Sequence, residues 1–495
     1  MLAPPAVELA PQAEVAQPAR DGRRTAIRLF AALLLLTALL RLPAFFVAEF
    51  NSDETYLATQ ADVIKNGGNL YKEATDRKPP LVPYLYTATF AITGTTGLWS
   101  VRVAAMFAIA LTALLLALEA RRRYGARAAW IAGALLVFSS VAFAPADGQA
   151  ANFEVFMLPA MTAAILLARR DRAFSSGVAV AIATLAKQTG AATLLPVLYL
   201  AWRFRGRRGA GNTLLGFAIP IALVALLVGP GQLLFWSVLG NGSYLSANAI
   251  SLFVGILFLV MTAGFIAPNL PILWTLPRAW RERATRDDTD LWLWLLSAAV
   301  SVAIGLRFFG HYYIQLLPPL CLLSAGMLTA ASRFARLATV ALAAATAAVF
   351  SIIGFFAPLH RGAQYESVSK FVAAKTSPDD RVLVWGSMPE IYWASDRRPA
   401  TRFVTNSFLS GNNPGRPPVT GDPKLATPGA WDLFWEDTRL HPPLYILDTT
   451  PAKIRGSQYT PISKFPRLKA LIHRSYHYVT RIDGIDIYKE NSRAH

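Results

Sequence analysis

Long apolar runs separated by short arginine-rich segments make up the chain from about residue 26 to residue 357. Many of them approach the roughly 20 residues that an α-helix needs to cross the hydrocarbon core of a bilayer. After residue 357 the apolar runs become shorter, and proline and glycine become more frequent. This pattern predicts an all-α polytopic membrane protein with a small C-terminal α/β domain.

The positive-inside rule orients these runs in the membrane. Arginines precede the first span, 26–47, and place the N-terminus in the cytoplasm. The later arginine clusters are also cytoplasmic if the 81–93 run lies along the outer surface and the 176–202 stretch crosses twice. The remaining spans are predicted at 98–118, 128–144, 153–168, 214–228, 250–266, 291–306, 312–330 and 337–356. About eleven spans result, with an extracytoplasmic C-terminus.

This topology divides the chain into three regions. Residues 1–25 are predicted to be a disordered cytoplasmic segment, because they are rich in Ala and Pro. Residues 26–357 form the transmembrane domain, with a first outer loop at 49–97. Residues 358–495 form the extracytoplasmic α/β domain, with a helix at 366–375 and strands near 381–385, 444–447 and 485–488.

The composition agrees with a membrane protein and argues against two other classes. The 495 residues are 54% hydrophobic and only 16% charged, unlike a typical soluble chain. The net charge of +18 comes from arginines between apolar runs, which argues against a nucleic-acid partner. The single cysteine, Cys321, excludes an internal disulfide and a cysteine-based metal site.

Ionisable residues gather on the predicted outer side of the membrane. Such groups are costly at membrane depth and usually serve a function. The alternative is that charges in outer loops only solvate those loops. The residues concerned are Asp53, Glu54, Lys78, Asp147, Glu154, Lys187, Arg307 and His311.

The adjacent carboxylates Asp53 and Glu54 follow the first span directly. Neighbouring side chains on a helix diverge by about 100°, so only one of the two can face a given pocket. One would then act as a base while the other holds the loop or a cation. The pair could equally be the acidic N-terminal turn of a helix that continues to Lys65. The spacing leaves both interpretations open.

Two lysines lie beside apolar runs. Lys78 precedes a proline pair, Pro79-Pro80, that stiffens the chain and fixes where the ammonium group points. A cation at this interface suits a lipid phosphate, although anchorage by snorkelling is the alternative. Lys187 and Gln188 interrupt an apolar run, where a passive lysine would be costly, which favours a functional role.

Further polar residues flank later spans. Asp147 and Glu154 are two helical turns apart and could share a face if one helix contained both. Glu154 is the better candidate for a structural or cation contact because it lies nearer the span. Arg307, His311 and Tyr312 belong to an aromatic-rich segment between two spans, which could also be an interfacial aromatic belt.

Together these landmarks resemble bacterial members of the dolichyl-phosphate-mannose protein mannosyltransferase-like superfamily, which includes the aminoarabinose and galacturonic acid transferases of lipid A. The resemblance covers about residues 26–356. In chain order the landmarks are Arg41-Leu42-Pro43, Asp53-Glu54, Lys78-Pro79-Pro80-Leu81, Lys187-Gln188 and His311-Tyr312-Tyr313 followed by Pro318. The usual His or Asn partner of the proline motif is here Arg77-Lys78, so the acceptor class stays open.

The resemblance implies the GT-C fold and transfer of a sugar from a polyprenyl-phosphate donor, with inversion, on the extracytoplasmic side. Asp53 matches the family's catalytic acidic residue, with Glu54 beside it, and Lys78 matches a residue near the donor phosphate. Looser matches to donor-site cations are Lys187, Arg307 and His311. Substrate-binding roles are expected for Asp147, Glu154, Tyr312 and Gln188.

The implied partners are a polyprenyl-phosphate-linked donor, a glycan, lipid or protein acceptor, and the bilayer itself. No cofactor is firmly implied, no metal ligands are assigned, and a divalent cation stays open. A transporter or lipid flippase is the competing interpretation, although the sequence shows no inverted repeat. A sensor with a ligand-binding C-terminal domain would not need about eleven spans.

Overall fold

Helices form most of the chain up to residue 357 in the computed structural model, which describes residues 18–241, 251–357, 364–413, 417 and 419–491. In chain order they are α1 (Pro18–Leu40), α2 (Ser52–Lys65), α3 (Leu81–Thr93), α4 (Leu98–Tyr124), α5 (Ala126–Val141), α6 (Pro145–Gly148), α7 (Phe153–Arg169), α8 (Ala173–Ala186), α9 (Leu194–Val228), α10 (Pro230–Ser237), α11 (Leu252–Leu273), α12 (Leu276–Arg281), α13 (Thr289–Ala303), α14 (Leu317–Ala330) and α15 (Arg333–Phe356). Short 3-10 helices occur at Leu42–Phe45, Gln188–Thr193, Leu239–Asn241 and Gly310–Leu316.

Several of these helices have the length and hydropathy of membrane spans. Among the described residues, five segments qualify: Leu98–Tyr124, Gln188–Val228, Leu252–Leu273, Gly310–Ala330 and Arg333–Phe356. Shorter apolar helices are Leu81–Thr93, Ala126–Val141, Ala173–Ala186 and Thr289–Ala303. The predicted helical membrane architecture is therefore confirmed, whereas the count of about eleven spans stays a prediction.

The first helix begins at Pro18, before the apolar run starts near residue 26. The prediction of disorder is therefore wrong for residues 18–25. Arginine is a good helix former, and helical hydrogen bonds continue beyond the end of the apolar run. Residues 1–17 of the predicted disordered segment lie outside the described residues.

The apolar stretch around Lys187 is broken, as its polar residues predicted. Helix α8 ends at Ala186, and Lys187 has an extended backbone with φ −157° and ψ 139°. A 3-10 helix follows before α9 begins at Leu194. Helix α9 itself contains a kink at Gly206, whose φ of 54° and ψ of −140° are not helical. The break leaves the Lys187 side chain at the end of a helix rather than on its face.

A buried group of charges ties helix ends together at the arginine-rich end of the bundle. Arg123 on α4 pairs with Glu119, with Asp288 at 3.2 Å and with Asp290 at 2.6 Å. Arg169 on α7 also pairs with Asp290, whose side chain is fully buried. Charges buried in this way must be mutually compensated, so the group fixes α4 and α7 against the start of α13.

The C-terminal domain is built around a four-stranded sheet. Its strands are β1 (Val382–Trp385), β2 (Tyr445–Asp448), β3 (Tyr476–Ile482) and β4 (Ile485–Glu490), in the order β1-β2-β4-β3. Its helices are α16 (Glu366–Lys375), α17 (Glu390–Ser395), α18 (Ser407–Ser410), α19 (Ala430–Leu440) and α20 (Pro466–Ser475). The predicted helix and three predicted strands are confirmed, and β3 is an additional strand. Residues 358–363 lie outside the described residues.

The C-terminal domain packs directly on the first outer loop. The indole nitrogen of Trp393 donates to the carbonyl of Thr96 at 2.9 Å. The backbone N–H of Thr75 donates to the carbonyl of Arg402 at 2.9 Å. Helix α17 also packs against α2. The loop that carries the candidate site is therefore enclosed between the membrane domain and the C-terminal domain.

Candidate functional site

Asn51 caps the helix that carries the acidic pair. Its side-chain oxygen accepts from the backbone N–H groups of Asp53 and Glu54, at 3.1 and 3.2 Å. Its amide nitrogen donates to the carbonyl of Ala146 and to Asn152. Helix α2 therefore starts with two acidic residues in its first turn, where the helix dipole favours negative charge.

Glu54 is fully buried and holds the loop in place. Its carboxylate accepts from Arg102 Nε at 2.9 Å and from Arg102 Nη2 at 2.7 Å. It also accepts from the backbone N–H of Ala151 at 2.9 Å and of Phe50 at 3.1 Å. Both oxygens are thus engaged inside the protein. This placement corrects the catalytic role expected for Glu54, because a substrate hydroxyl has no access to its carboxylate.

Asp53 faces the open side of the same turn. Its side chain is 38% exposed, and Oδ2 lies 3.9 Å from Nε2 of His311. Its deep position acts to raise the pKa of the carboxyl, but the nearby charges of Lys78 and His311 lower it. Together with smaller contributions from Lys187 and Arg455, they hold the pKa of Asp53 below its usual value. Asp53 is therefore an accessible carboxylate that stays ionised.

His311 is fixed by Asp147. The imidazole Nδ1 lies 2.6 Å from Asp147 Oδ1, and the backbone N–H of His311 donates to the same oxygen at 3.0 Å. This approach requires glycine at position 310, because a Cβ there would overlap the Asp147 carboxylate. Asp147 lies on α6 and Glu154 on α7, so the single helix that would place both on one face does not form.

Glu154 and Lys187 form a buried ion pair. Their residues are only 1% and 5% exposed, and the Lys187 ammonium also lies 3.4 Å from the centre of the Tyr312 ring. The expected cation contact of Glu154 is present. Lys187 and Tyr312 are consequently packed together beside Asp53, with the positive charge of Lys187 already balanced by a carboxylate.

Lys78 is held at the edge of a small cavity that it shares with Asp53. The Tyr71 hydroxyl donates to the carbonyl of Lys78 at 2.7 Å, and the backbone N–H of Lys78 donates to Asp76 at 3.1 Å. Its ammonium group lies 3.9 Å from the centre of the Phe153 ring. The backbone is thereby fixed while the half-buried side chain lines the cavity.

Gln188 holds the segment that carries Lys78. Its amide nitrogen donates to the carbonyl of Arg77 at 2.6 Å and to that of Ser237 at 3.0 Å. The substrate-binding role expected for Gln188 is therefore corrected in one respect. Its amide nitrogen is engaged by two backbone carbonyls and is not available to a substrate. Arg307 is 1% exposed and lies between Leu306 and Phe308, both with φ of 47°. Arg307 does not line the small cavity that Asp53 and Lys78 share.

Two cavities meet at Ser52, which lines both of them. The smaller has a volume of about 120 Å³ and contains Asp53 and Lys78. The larger has a volume of about 720 Å³ and extends from the first outer loop to the end of α15. Asp53 therefore lies next to the junction between a small pocket lined by residues of both charges and a wider cavity.

The C-terminal domain supplies part of both walls. Arg77 donates to Ser407 Oγ at 3.0 Å and stacks on Phe408 at 3.7 Å, both on the wall of the smaller cavity. Arg455 lines the larger cavity and pairs with the buried Glu390 at 2.7 Å. The contributions of Ser407, Phe408, Glu390 and Arg455 could not be predicted from the sequence, because no local signal connects these residues to the first outer loop.

Within the described ranges, no group of three or more His, Cys, Asp or Glu side chains is placed to hold one metal ion. The chemistry available from this arrangement is that of an ionised carboxylate beside a histidine and two lysines, at the meeting point of two cavities.

Comparison with known proteins gives a partial family match and a shared fold. Residues 77–230 match the family model described as dolichyl-phosphate-mannose-protein mannosyltransferase. No curated protein sequence gives a significant match. The structure of ArnT from Cupriavidus metallidurans is similar in its apo state, with a TM-score of 0.64, and bound to undecaprenyl phosphate, with a TM-score of 0.60. In both cases 15% of residues are identical, over 94% of this chain and 98% of that chain.

A second similar structure is an oligosaccharyltransferase from Archaeoglobus fulgidus in complex with Zn and sulfate. Its TM-score is 0.53 at 14% identity, over 93% of this chain and 73% of that chain. Identities this low show the fold alone. The fold, taken with the family match, confirms the resemblance that the sequence motifs indicated.

Proposed function

We propose that this chain, a GT-C glycosyltransferase of the dolichyl-phosphate-mannose protein mannosyltransferase-like superfamily, transfers a sugar from a polyprenyl-phosphate-linked donor to an extracytoplasmic acceptor. Transfer proceeds with inversion, and Asp53 is the general base. An inverting transfer needs a base at the acceptor hydroxyl and positive charge at the departing phosphate. Asp53 and the cations around it meet both needs.

The contrast between Asp53 and Glu54 carries this proposal. Glu54 is fully buried and bound to Arg102, whereas Asp53 is open to the cavity and surrounded by cations. A base must be within reach of the proton that it removes, and only Asp53 of the pair satisfies this geometry.

Lys78 is the principal donor-phosphate contact in this proposal. It lines the cavity with Asp53, and its ammonium group stands over an aromatic ring. Lys187 contributes to the local field, but its charge is shared with Glu154. A phosphate–ammonium contact would offset the cost of holding Lys78 at membrane depth. The similarity to a structure that binds undecaprenyl phosphate supports a lipid-phosphate donor.

The larger cavity suits the acceptor. It extends from the end of α15 to Ser52, where it meets the smaller cavity that contains Asp53 and Lys78. Its volume of about 720 Å³ is within the range of ligand pockets in proteins. A glycan, a lipid headgroup and a protein side chain all carry suitable hydroxyl groups, so the acceptor is assigned only by this chemistry.

The proposal requires the site to face the extracytoplasmic side, where nucleotide sugars are absent. The N-terminus and the arginine clusters are then cytoplasmic, and the C-terminal domain is outside. A cysteine introduced at the exposed Ser463 should react with an impermeant thiol reagent in intact cells, whereas one at the exposed Ala126 should not. Labelling at Ala126 in place of Ser463 would invert the topology and overturn the proposal.

The direct test is transfer of radiolabelled sugar from a polyprenyl-phosphate donor in membranes that contain the protein. We expect product with the lipid-linked donor and none with the matching nucleotide sugar. Lys78→Met should raise the KM for the donor more than the KM for the acceptor. Activity with the nucleotide sugar, or unchanged donor KM in Lys78→Met, would contradict the proposed donor assignment.

A further inference from the structure

The imidazole of His311 lies between two carboxylates, those of Asp147 and Asp53. Asp147 Oδ1 is 2.6 Å from His311 Nδ1, and His311 Nε2 is 3.9 Å from Asp53 Oδ2. A carboxylate accepts hydrogen bonds, so Nδ1 carries a hydrogen in this arrangement. The other ring nitrogen then presents a lone pair to Asp53 whenever the ring is neutral.

The surroundings fix this orientation of the imidazole. The ring stacks on Phe309, with 8° between the planes, and meets Tyr312 edge-on at 5.0 Å. Its backbone N–H binds the same Asp147 oxygen as its side chain. Gly310 makes this double contact sterically feasible. His311 is 8% exposed, so its ring is held mainly by protein contacts.

We propose that His311 takes on the proton that Asp53 removes from the acceptor, and that Asp147 is the positioning residue that makes this transfer possible. The inference rests on the proposed function of Asp53. It changes the role expected for His311 from a donor-phosphate cation to a proton acceptor.

The proposed reaction has two steps, glycosyl transfer and then proton transfer to His311. As the acceptor oxygen bonds to the anomeric carbon, the bond from that carbon to the phosphate oxygen breaks, and its electron pair leaves with the phosphate. The acceptor proton moves to Asp53. It then passes to Nε2 of His311, where Asp147 balances the imidazolium charge, and it leaves to solvent before the next turnover.

The carboxylate of Asp53 binds a proton weakly, so a neighbouring group that accepts the proton returns Asp53 to its basic form. The charge of Lys78 lowers the pKa of Asp53 even when His311 is neutral, with smaller contributions from Lys187 and Arg455, whereas an imidazole ordinarily titrates near pH 6.5. Transfer from Asp53 to His311 is therefore downhill. The 3.9 Å separation closes by about 1 Å to a hydrogen bond, or is bridged by one water molecule.

The other charges that face the imidazole are consistent with this role. The carboxylate of Glu154 on α7 interacts electrostatically with His311, and Lys187 is paired with Glu154. Asp53 on α2 and Asp147 on α6 complete the set of nearby carboxylates. An imidazolium formed during turnover is thus surrounded by negative charge, which stabilises it.

The test is the pH dependence of kcat in His311→Gln, with the exposed His473→Gln as the matched control. Only a neutral His311 can accept the proton. Wild-type kcat should therefore rise as the pH increases through the range in which the imidazole loses its proton, which is called the acid limb below. His311→Gln should lower kcat about 100-fold and leave the donor KM nearly unchanged. It should also remove the rise of kcat with pH. His473→Gln should behave as wild type. A wild-type activity that falls with rising pH, or a variant that raises only the donor KM, would identify a phosphate cation and overturn the relay.

Asp147→Asn gives a second test should His311→Gln fail to fold. Removal of the carboxylate charge destabilises the imidazolium, so the acid limb should move to lower pH while kcat falls about 10-fold. An unmoved limb would refute the positioning role. Asp53→Asn separates this inference from the function on which it rests. If Asp53→Asn turns over normally, Asp53 is not the base; if it is inactive while His311→Gln keeps a wild-type profile, only the relay fails.

Discussion

Conservative substitution of the two adjacent acids should give opposite outcomes. Asp53→Asn keeps the size and hydrogen bonding of the side chain but removes its basicity. Because the side chain is 38% exposed and contributes little packing, we expect an unchanged Tm. Loss of a positioned base should lower kcat about 10²–10⁴-fold.

Glu54→Gln should act mainly on stability. The glutamine oxygen can still accept from Arg102 Nε and from the Ala151 N–H. Its amide nitrogen would then face two donors, Arg102 Nη2 and the Phe50 N–H. Two hydrogen bonds are lost and the Arg102 charge is left buried, at a cost of about 3–5 kcal/mol. We expect a lower Tm, with kcat per folded molecule reduced less than in Asp53→Asn.

The assay combines sugar transfer with thermal unfolding of the purified protein in the same detergent. Arg102→Met added to Glu54→Gln removes the uncompensated guanidinium and should recover part of the Tm. The assignment is refuted if Glu54→Gln is inactive at an unchanged Tm while Asp53→Asn is active, since the roles of the two carboxylates would then be exchanged.

Three further changes test neighbouring features. Lys78→Met should raise the pKa of Asp53, because the Lys78 charge lowers it. In a His311→Gln background, which lacks the imidazole limb, activity that is lost as Asp53 is protonated should disappear at a higher pH when Lys78→Met is added. An acid limit that is the same with and without Lys78→Met would count against this coupling. Gln188→Leu should weaken donor binding about 10-fold, measured as donor KM, because it releases the Arg77 and Ser237 carbonyls that hold the segment beside Lys78; an unchanged KM would show that the segment is fixed without it. Asp290→Asn should lower the free energy of unfolding by about 1–3 kcal/mol, because Arg123 and Arg169 lose a shared buried carboxylate while Arg123 keeps Glu119 and Asp288. We expect kcat per folded molecule to be unchanged, and stability equal to wild type would refute the buried pairing.

The sequence predicted those features that depend on local patterns. The break at Lys187 follows from polar residues inside an apolar run, and the acidic first turn of α2 follows from the placement of Asp53 and Glu54. The strands at 382–385 and 445–448 follow from short apolar runs after the last membrane helix. In each case the signal lies within a few residues of the feature.

The features that could not be predicted depend on contacts between distant residues. Which carboxylate faces inward is decided by Arg102, 48 residues after Glu54. The wall beside Arg77 is supplied by Ser407, 330 residues later. Asp147 and Glu154 reach the site from separate helices, so their spacing in the sequence was not a guide to their geometry.

The contact between Arg77 and Ser407 can form only late in biosynthesis, because the two residues are 330 positions apart in the chain. The acidic turn and the Lys78 segment leave the ribosome long before the part of the chain that closes over them. Strand β4 lies between β2 and β3, so the sheet behind that wall is complete only after residues 485–490 have been made. A nascent chain can therefore insert its helices while Asp53 still faces an incomplete pocket. The walls of this pocket are complete only when synthesis of the C-terminal domain is finished.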